Sequence, residues 1–80
     1  MLVYLLFDYR EDGPEGLVAT CEKEKVCDLA AKFNDGWYVN NYPSLISDIR
    51  KLLEEHGDDE GDHYLTEEWG GLRLLSVKLS

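Results

Sequence analysis

Hydrophobic and polar positions divide the chain into apolar runs at both ends and helical periodicity in the middle. Residues 2–7 form a nearly continuous apolar run, which is typical of a central strand covered on at least one face. Asp12, Gly13 and Pro14 mark a turn within residues 10–16, and residues 17–21 return as a second strand. The two segments predict an antiparallel hairpin whose loop is longer than the tightest type.

The hydrophobic period changes to that of a helix near Glu22. Apolar residues then recur at positions i, i+3, i+4 and i+7 and share one face: Val26, Leu29, Ala30 and Phe33. Thr20 is a candidate N-cap residue, and the polar residues 34–36 predict the end of the helix. Residues 37–39 fit either a short strand or an aromatic plug over the sheet.

A second helix is predicted to begin near Pro43, which suits the first turn of a helix. Its apolar stripe is Leu45, Ile46, Ile49, Leu52 and Leu53. Gly57 is a natural C-terminal stop.

The remaining residues predict a second pair of strands. Residues 58–62 form a charged loop, 63–68 a strand, 69–71 a turn and 72–79 a last strand. In the last strand Leu75, Val77 and Leu79 share one face, and Ser76 and Lys78 share the other. The element order β-β-α-α-β-β predicts a single α+β domain over residues 1–80, with a mainly antiparallel sheet and two helices on one face.

Composition is that of a small globular domain. Of the 80 residues, 44% are apolar and 11% aromatic, which is too many for a disordered acidic tail. Cys21 and Cys27 are too few for a disulfide framework, so we expect two free thiols with Cys27 partly buried. The first apolar run is too short for a membrane span and lacks the features of a signal peptide. We therefore expect a cytoplasmic protein with no membrane contact.

Negative charge is concentrated in one segment. Eight carboxylates lie between Leu52 and Leu72 with no Lys or Arg among them. The chain has 17 acidic and 8 basic residues, a net charge of −9, and nearly all of this imbalance falls in that segment. We call these eight residues the acidic segment: Glu54, Glu55, Asp58, Asp59, Glu60, Asp62, Glu67 and Glu68.

The acidic segment does not have the pattern of a metal site. Counted as a calcium-binding loop from Asp58, it places His63 where Gly is required and Trp69 where Glu is required. His56 and His63 lack the i, i+4 spacing of a zinc pair on a helix. We expect neither a metal nor a cofactor.

Solubility alone would account for an exposed acidic segment, because charge runs are usually solvated. Recognition of a basic partner accounts better for its position. Glu54 and Glu55 fall in the last predicted turn of the second helix, where the helix dipole disfavours each carboxylate by about 0.3–1 kcal/mol. We predict that the eight carboxylates and the adjacent Trp69 bind a partner, since Trp is enriched at binding hot spots.

Catalytic and nucleic-acid-binding patterns are weaker. His56 and His63 have no nucleophile or orienting group at a suggestive spacing and are interpreted as surface histidines. Gly70 and Gly71 are isolated and do not form a phosphate-binding loop. The basic residues are few and scattered, so direct nucleic-acid binding is not expected. A hydrolase or metal-dependent enzyme is one alternative to an interaction protein. We expect that the protein is not an enzyme.

In its acidic residues 54–68 and its compact strand–helix organisation, the chain resembles the small acidic inhibitors carried by bacteriophages. These include anti-CRISPR proteins and DNA-mimic anti-restriction proteins, and the resemblance is one of type rather than of motif. It implies binding to a CRISPR effector or another nucleic-acid-handling enzyme, in the cytoplasm of a bacterial host, with exclusion of the target DNA. A β-strand rises about 3.3–3.4 Å per residue, close to the roughly 3.4 Å between phosphates along a DNA strand. Carboxylates on strands and adjoining loops can therefore have the spacing of DNA phosphates.

Two further alternatives stay open. An immunity or antitoxin-like protein would neutralise a basic nuclease toxin by the same electrostatic means. The last predicted strand would also offer an edge on which a homodimer could form.

Overall fold

Four strands form one antiparallel sheet in the computed structural model, which describes residues 1–10, 13–66 and 71–79. The strands are β1 (Leu2–Arg10), β2 (Gly13–Thr20), β3 (Gly61–Tyr64) and β4 (Leu72–Lys78). Their order across the sheet is β2-β1-β4-β3, and each neighbouring pair is antiparallel. The first and last strands in sequence are therefore the two central strands.

The β1–β2 hairpin is longer than predicted. Leu6 pairs with Val18, but Asp8 pairs with Glu15, so the register shifts between these two pairs. The extra residue forms a bulge at which Gly16 has a φ of 65°, a conformation that glycine adopts at little cost. The predicted loop over residues 10–16 is wrong in length, because the bulge lets both strands continue towards the turn.

Three helices connect the two hairpins. They are α1 (Val26–Lys32), α2 (Trp37–Asn41) and α3 (Leu45–His56), and a 3₁₀ turn (Lys23–Lys25) precedes α1. The predicted first helix thus begins at Val26, not near Glu22. The hydroxyl oxygen of Thr20 accepts a hydrogen bond from the Glu22 backbone N–H at 3.0 Å, so Thr20 supports the turn rather than the helix itself.

The apolar stripes predicted for α1 and α3 are confirmed. The stripe residues with buried side chains are Val26, Ala30, Phe33, Leu45, Ile49 and Leu53. The other three, Leu29, Ile46 and Leu52, are half-buried against the same core. The backbone N–H of Gly57 donates to the Leu53 carbonyl at 2.9 Å and ends α3, as expected.

Residues 37–39 are helical, so their assignment to a short strand is wrong. A 3₁₀ segment (Phe33–Gly36) ends α1, and three consecutive residues in it are left-handed: Asn34 (φ 52°), Asp35 (φ 55°) and Gly36 (φ 84°). This turn places the Tyr38 ring in the core, 5.9 Å from that of Phe33. Trp37 stays exposed, with its ring 4.9 Å from that of Tyr38.

The core lies between the helices and one face of the sheet. Tyr4 and Leu6 of β1, with Leu72 and Leu74 of β4, join the buried helical residues in one cluster. The Tyr4 hydroxyl donates a 2.5 Å hydrogen bond to the Gly57 carbonyl and ties β1 to the end of α3. The buried face of β4 is thus the one that carries Ser76, not the one that carries Leu75 and Val77.

The predicted α+β class, with its antiparallel sheet and its helices on one face, is confirmed. Two details differ. An additional short helix gives the element order β-β-α-α-α-β-β. β4 also lies between β1 and β3, so the prediction that the last strand offers an open edge for a homodimer is wrong.

Candidate protein-binding surface

The acidic segment begins at the end of α3 and runs into β3. Glu54 and Glu55 are exposed in the last turn of α3, and Asp58 and Asp59 are exposed in the turn that follows. Glu60 immediately precedes β3, and Asp62 lies within it. Glu67, Glu68 and Trp69, which were also predicted to bind a partner, lie outside the described residues.

Asp58 is in contact with Lys23, which lies in the 3₁₀ turn before α1. Lys23 Nζ lies 3.3 Å from Asp58 Oδ1, and 92% of the Asp58 side chain is exposed. Because both groups are well solvated, this pair adds little to stability. The Asp58 carboxylate therefore remains accessible to a partner.

Glu60 completes the hydrogen bonding of β4. The strand β3 begins at Gly61, opposite Ser76, so β4 extends beyond the end of its neighbour. There Glu60 Oε1 accepts a hydrogen bond from the backbone N–H of Lys78 at 2.8 Å. The carboxylate thus accepts a hydrogen bond that a backbone carbonyl of a longer β3 would otherwise accept, and Glu60 has a structural role.

We predict that Glu60→Ala lowers the free energy of unfolding by about 0.5–1.5 kcal/mol, because the Lys78 N–H loses its acceptor. Glu60→Gln should cost less, since an amide oxygen can accept the same hydrogen bond. Urea denaturation of both variants measures this difference. Equal losses in the two variants would show that the charge of Glu60, not the hydrogen bond, is what matters.

Asp62 forms an ion pair on the outward face of the sheet. Its two carboxylate oxygens accept from Arg73 Nε, at 3.1 Å, and from Arg73 Nη2. The Arg73 guanidinium also lies 4.6 Å from the centre of the Tyr64 ring and 5.6 Å from that of Phe7. Planar bidentate pairing and stacking on aromatic rings are both characteristic of arginine. The charge of Asp62 is thus neutralised within the protein.

Within the described part of the acidic segment, Glu54 and Asp59 are the carboxylates most available to a partner. Both are exposed, and neither forms an ion pair within the part of the chain that the structure describes. His56 Nε2 lies 4.0 Å from Glu55 Oε2. The acidic segment therefore combines carboxylates used internally with carboxylates that face solvent.

A surface missed by the sequence reasoning lies on the sheet, opposite the core. Cross-strand pairs on this side are Val3 with Val77, Leu5 with Leu75, and Phe7 with Arg73. Tyr64 of β3 pairs with Arg73 on the same side, and 70% of Tyr64 is exposed. We call these residues the outer sheet face: Val3, Leu5, Phe7, Tyr64, Arg73, Leu75 and Val77.

The outer sheet face is more apolar than a solvated sheet face normally is. The α-helices contribute their buried residues to the core on the opposite side, so none of the helices in the described ranges covers it. An antiparallel sheet with one solvated face usually alternates between apolar and polar residues. Here β1 is apolar on both faces. The continuous run of residues 2–7, which does not alternate, is the sequence signal for this surface.

The other candidate groups have ordinary environments. Both cysteines are free, Cys21 exposed and Cys27 half-buried, as predicted. Burial raises the pKa of the Cys27 thiol, opposed by the nearby Arg50, so at neutral pH Cys27 is a protonated thiol and a poor nucleophile. The rings of His56 and His63 stack with centres 6.0 Å apart.

Two other kinds of feature are absent from residues 1–10, 13–66 and 71–79. No group of three or more His, Cys, Asp or Glu side chains in these ranges is arranged to hold a metal ion. None of the helices there has the length and hydrophobicity needed to cross a bilayer.

A comparison of the chain with protein families, with curated proteins and with solved structures found no match.

Proposed function

We propose that this protein is a non-enzymatic interaction protein that binds a basic surface of another protein. The observation that carries the proposal is the apolar outer sheet face, which the acidic segment reaches at Asp62. Asp62 pairs across the sheet with Leu75 and is neutralised by Arg73, and the solvent-facing carboxylates Glu54 and Asp59 precede it in the chain. An apolar centre with a charged rim is the usual anatomy of a protein interface.

The net charge favours a basic partner over a second copy of the chain. Two copies would each carry −9, and their like charges would repel as the faces approached. A partner with an apolar patch surrounded by Lys and Arg would be attracted by the same field. The apolar contacts would then set the lifetime of the complex, and the acidic residues would speed its formation.

Proteins that handle nucleic acids present such cationic surfaces, because they neutralise phosphates with Lys and Arg. We therefore extend the proposal to an inhibitor of the anti-CRISPR type, encoded by a phage, that occupies a basic groove and excludes target DNA. An antitoxin-like protein that covers a basic nuclease would use the same surface. The identity of the partner separates the two proposals.

We predict that Glu54→Gln combined with Asp59→Asn weakens partner binding by roughly 2- to 30-fold, from about 0.2–1 kcal/mol for each exposed charge. The loss should fall mainly on the association rate and shrink as salt is raised. The partner is first captured from a bacterial lysate with the tagged protein, identified and purified. Binding of the two pure proteins is then measured between 50 and 300 mM salt.

The matched control is Glu24→Gln combined with Asp28→Asn, which removes two exposed carboxylates before and within α1. It changes the net charge by the same amount at another place and should leave affinity nearly unchanged. Equal weakening by both double variants would show that partner affinity depends on the net charge of the protein and not on the position of the carboxylates. No weakening by either variant would show that the acidic segment does not contact the partner.

A further inference from the structure

One edge of the sheet is long, uncharged and open. The strand β2 pairs with β1 on one side, and the described part of the chain places no strand on its other side. Residues 16–20 of β2 carry no charged side chain, and Leu17 is 60% exposed. Folded proteins usually protect such an edge with a charge, a proline or a bulge, because its backbone groups pair readily with other strands. Pro14 and the bulge at Gly16 protect the first half of β2 and leave the second half accessible.

The opposite edge of the sheet is protected. The strand β3 has four residues, one of which is Asp62, and Glu60 precedes it. Glu60 also accepts the hydrogen bond of the Lys78 N–H, which lies past the end of β3. Short length and charge are two means by which edge strands avoid pairing with other chains. The edge at which a further strand can add is therefore β2.

The register of the sheet fixes the direction of the backbone groups in each strand. The Lys78 N–H of β4 donates to Glu60, on the β3 side. The Leu72 carbonyl accepts from the Leu65 N–H on the same side. Because these directions alternate along a strand, the odd-numbered residues of β4 bond to β1 instead. They pair with odd-numbered residues of β1, so the even-numbered residues of β1 bond to β2.

The same alternation identifies the backbone groups at the open edge of β2. Val18 and Thr20 pair with even-numbered residues of β1 and bond to them. Ala19 lies between them, so its N–H and C=O point to the open edge, and Leu17 has the same direction. Pro14 pairs with an odd-numbered residue of β1 and also points outward, which suits a residue without an N–H. The second half of β2 thus presents donors and acceptors at Leu17 and Ala19.

A second copy of the chain fits this edge better than a basic protein does. A basic partner is attracted by carboxylates, and residues 16–20 have none. A second β2 has the same uncharged sequence, and two copies related by a two-fold axis pair antiparallel. With Val18 on the axis, Leu17 of each copy lies opposite Ala19 of the other, and both pairs exchange backbone hydrogen bonds.

The net charge opposes this contact less than it opposes a contact between two sheet faces. Of the 17 acidic residues, 8 belong to the acidic segment, so the rest of the chain has 9 acidic and 8 basic residues and is nearly neutral. The part of the segment in β3 lies at the far edge of the sheet. Asp58 lies near Lys23, just past the end of β2. In an antiparallel pair the Thr20 ends of the two β2 strands are about 14 Å apart along the strands, beyond a Debye length of roughly 8 Å.

We propose that two copies of the chain pair through β2 and form one continuous antiparallel sheet. Ala19 pairs with Leu5 within each copy, so Ala19 and Leu17 lie on the side of the outer sheet face. The exposed Leu17 side chain of each copy packs against Ala19 of the other copy. Both outer sheet faces remain uncovered, so a basic partner can bind to the dimer. The proposal therefore does not depend on that partner.

Analytical ultracentrifugation of the wild-type protein, from about 5 µM to about 1 mM, should show a dimer that forms within this range. Ala19→Pro removes an outward N–H but no bond to β1, and proline is tolerated on an edge strand at such a position. The dimer Kd should rise at least about 5-fold, because each copy loses one donor. Ala19→Ser is the matched control, since it keeps the N–H and should leave the Kd unchanged.

A second variant leaves the backbone groups in place. Leu17→Lys removes an apolar contact and puts a charge at the edge, so it should raise the dimer Kd at least about 10-fold. Leu79→Lys makes the same chemical change at an exposed leucine outside β2 and should have no effect. If circular dichroism shows that Ala19→Pro unfolds the domain, the two lysine variants decide.

Hydrogen exchange measured by NMR locates the contact. The amide of Ala19 should be protected in the wild-type dimer and should exchange rapidly in the Leu17→Lys monomer. The proposal is overturned if the wild type stays a monomer at about 1 mM, if Leu17→Lys and Leu79→Lys have equal effects, or if the dimer leaves Ala19 unprotected. These outcomes leave the basic-partner proposal untouched, because its variants lie outside β2.

Discussion

Replacement of Ile49 by alanine is expected to lower the free energy of unfolding by about 2–5 kcal/mol. Ile49 is 0% exposed and lies in the middle of the α3 stripe, within the core shared by the helices and the sheet. Removal of its side chain beyond Cβ loses apolar burial and leaves a cavity that the surrounding residues fill only in part. A domain of this size has a total stability of roughly 4–12 kcal/mol. The variant would thus lose a large fraction of it.

Urea denaturation followed by circular dichroism measures this loss, and Ile46→Ala is the matched control. Ile46 is in the same helix, three residues earlier, and is only half-buried. The same chemical change should therefore cost clearly less at Ile46. Equal costs at the two positions would mean that α3 is rotated about its axis relative to the packing described above.

The sequence predicts α1 and α3 well because each buries one face along its whole length. Burial on one side requires apolar residues at the helical period, and that period is visible without knowledge of what covers the helix. The five residues of α2 are too few to show a period. The turn before it depends on three left-handed residues, of which only Gly36 is a glycine. Its geometry therefore leaves a weak signal in the sequence.

The apolar residues locate β1, β2 and β4, but β3 (Gly61–Tyr64) begins within the predicted charged loop over residues 58–62, so the prediction of a strand over residues 63–68 is wrong in its start. The faces of the strands could not be assigned. In β1 both faces are apolar, so alternation gives no indication of which side meets the helices. In β4 the helix-facing side carries Ser76, while Leu75 and Val77 face outward. Which face of the sheet is buried depends on the side of the sheet against which α1 and α3 pack. That side is set by contacts between residues far apart in the chain, such as Tyr4 with Gly57.

The acidic segment was identified from the sequence, but the internal contacts of its members were not. Asp58 meets Lys23, which is 35 positions away, and Asp62 meets Arg73 through the pairing of β3 with β4. Glu60 reaches the Lys78 backbone only because β3 is shorter than β4. Charge counting treats all these carboxylates alike. The register of the sheet separates structural carboxylates from those that face solvent, such as Glu54 and Asp59.

Replacement of both Leu5 and Leu75 by threonine is expected to weaken binding of the proposed basic partner by at least about 100-fold. The two side chains pair across β1 and β4 at the centre of the outer sheet face. Hot-spot residues, which cluster at the centre of an interface, contribute about 2 kcal/mol or more each to binding, and we expect these two leucines to act as such. Threonine keeps a high preference for strands, and neither leucine is fully buried, so the domain should remain folded.

Affinity is measured with the purified partner, after denaturation curves have shown that the double variant is folded. Trp37→Ser is the control, because it removes an exposed apolar side chain from α2, on the helical side of the sheet. It should leave affinity unchanged.

Analytical ultracentrifugation of the protein alone tests whether a second copy of the chain, instead of a basic partner, covers the outer sheet face. If the wild-type protein is a dimer and the leucine variant a monomer, then a second copy covers the outer sheet face and the basic-partner proposal is wrong. If both have the same oligomeric state and only partner binding is lost, the apolar centre of that face is the docking site.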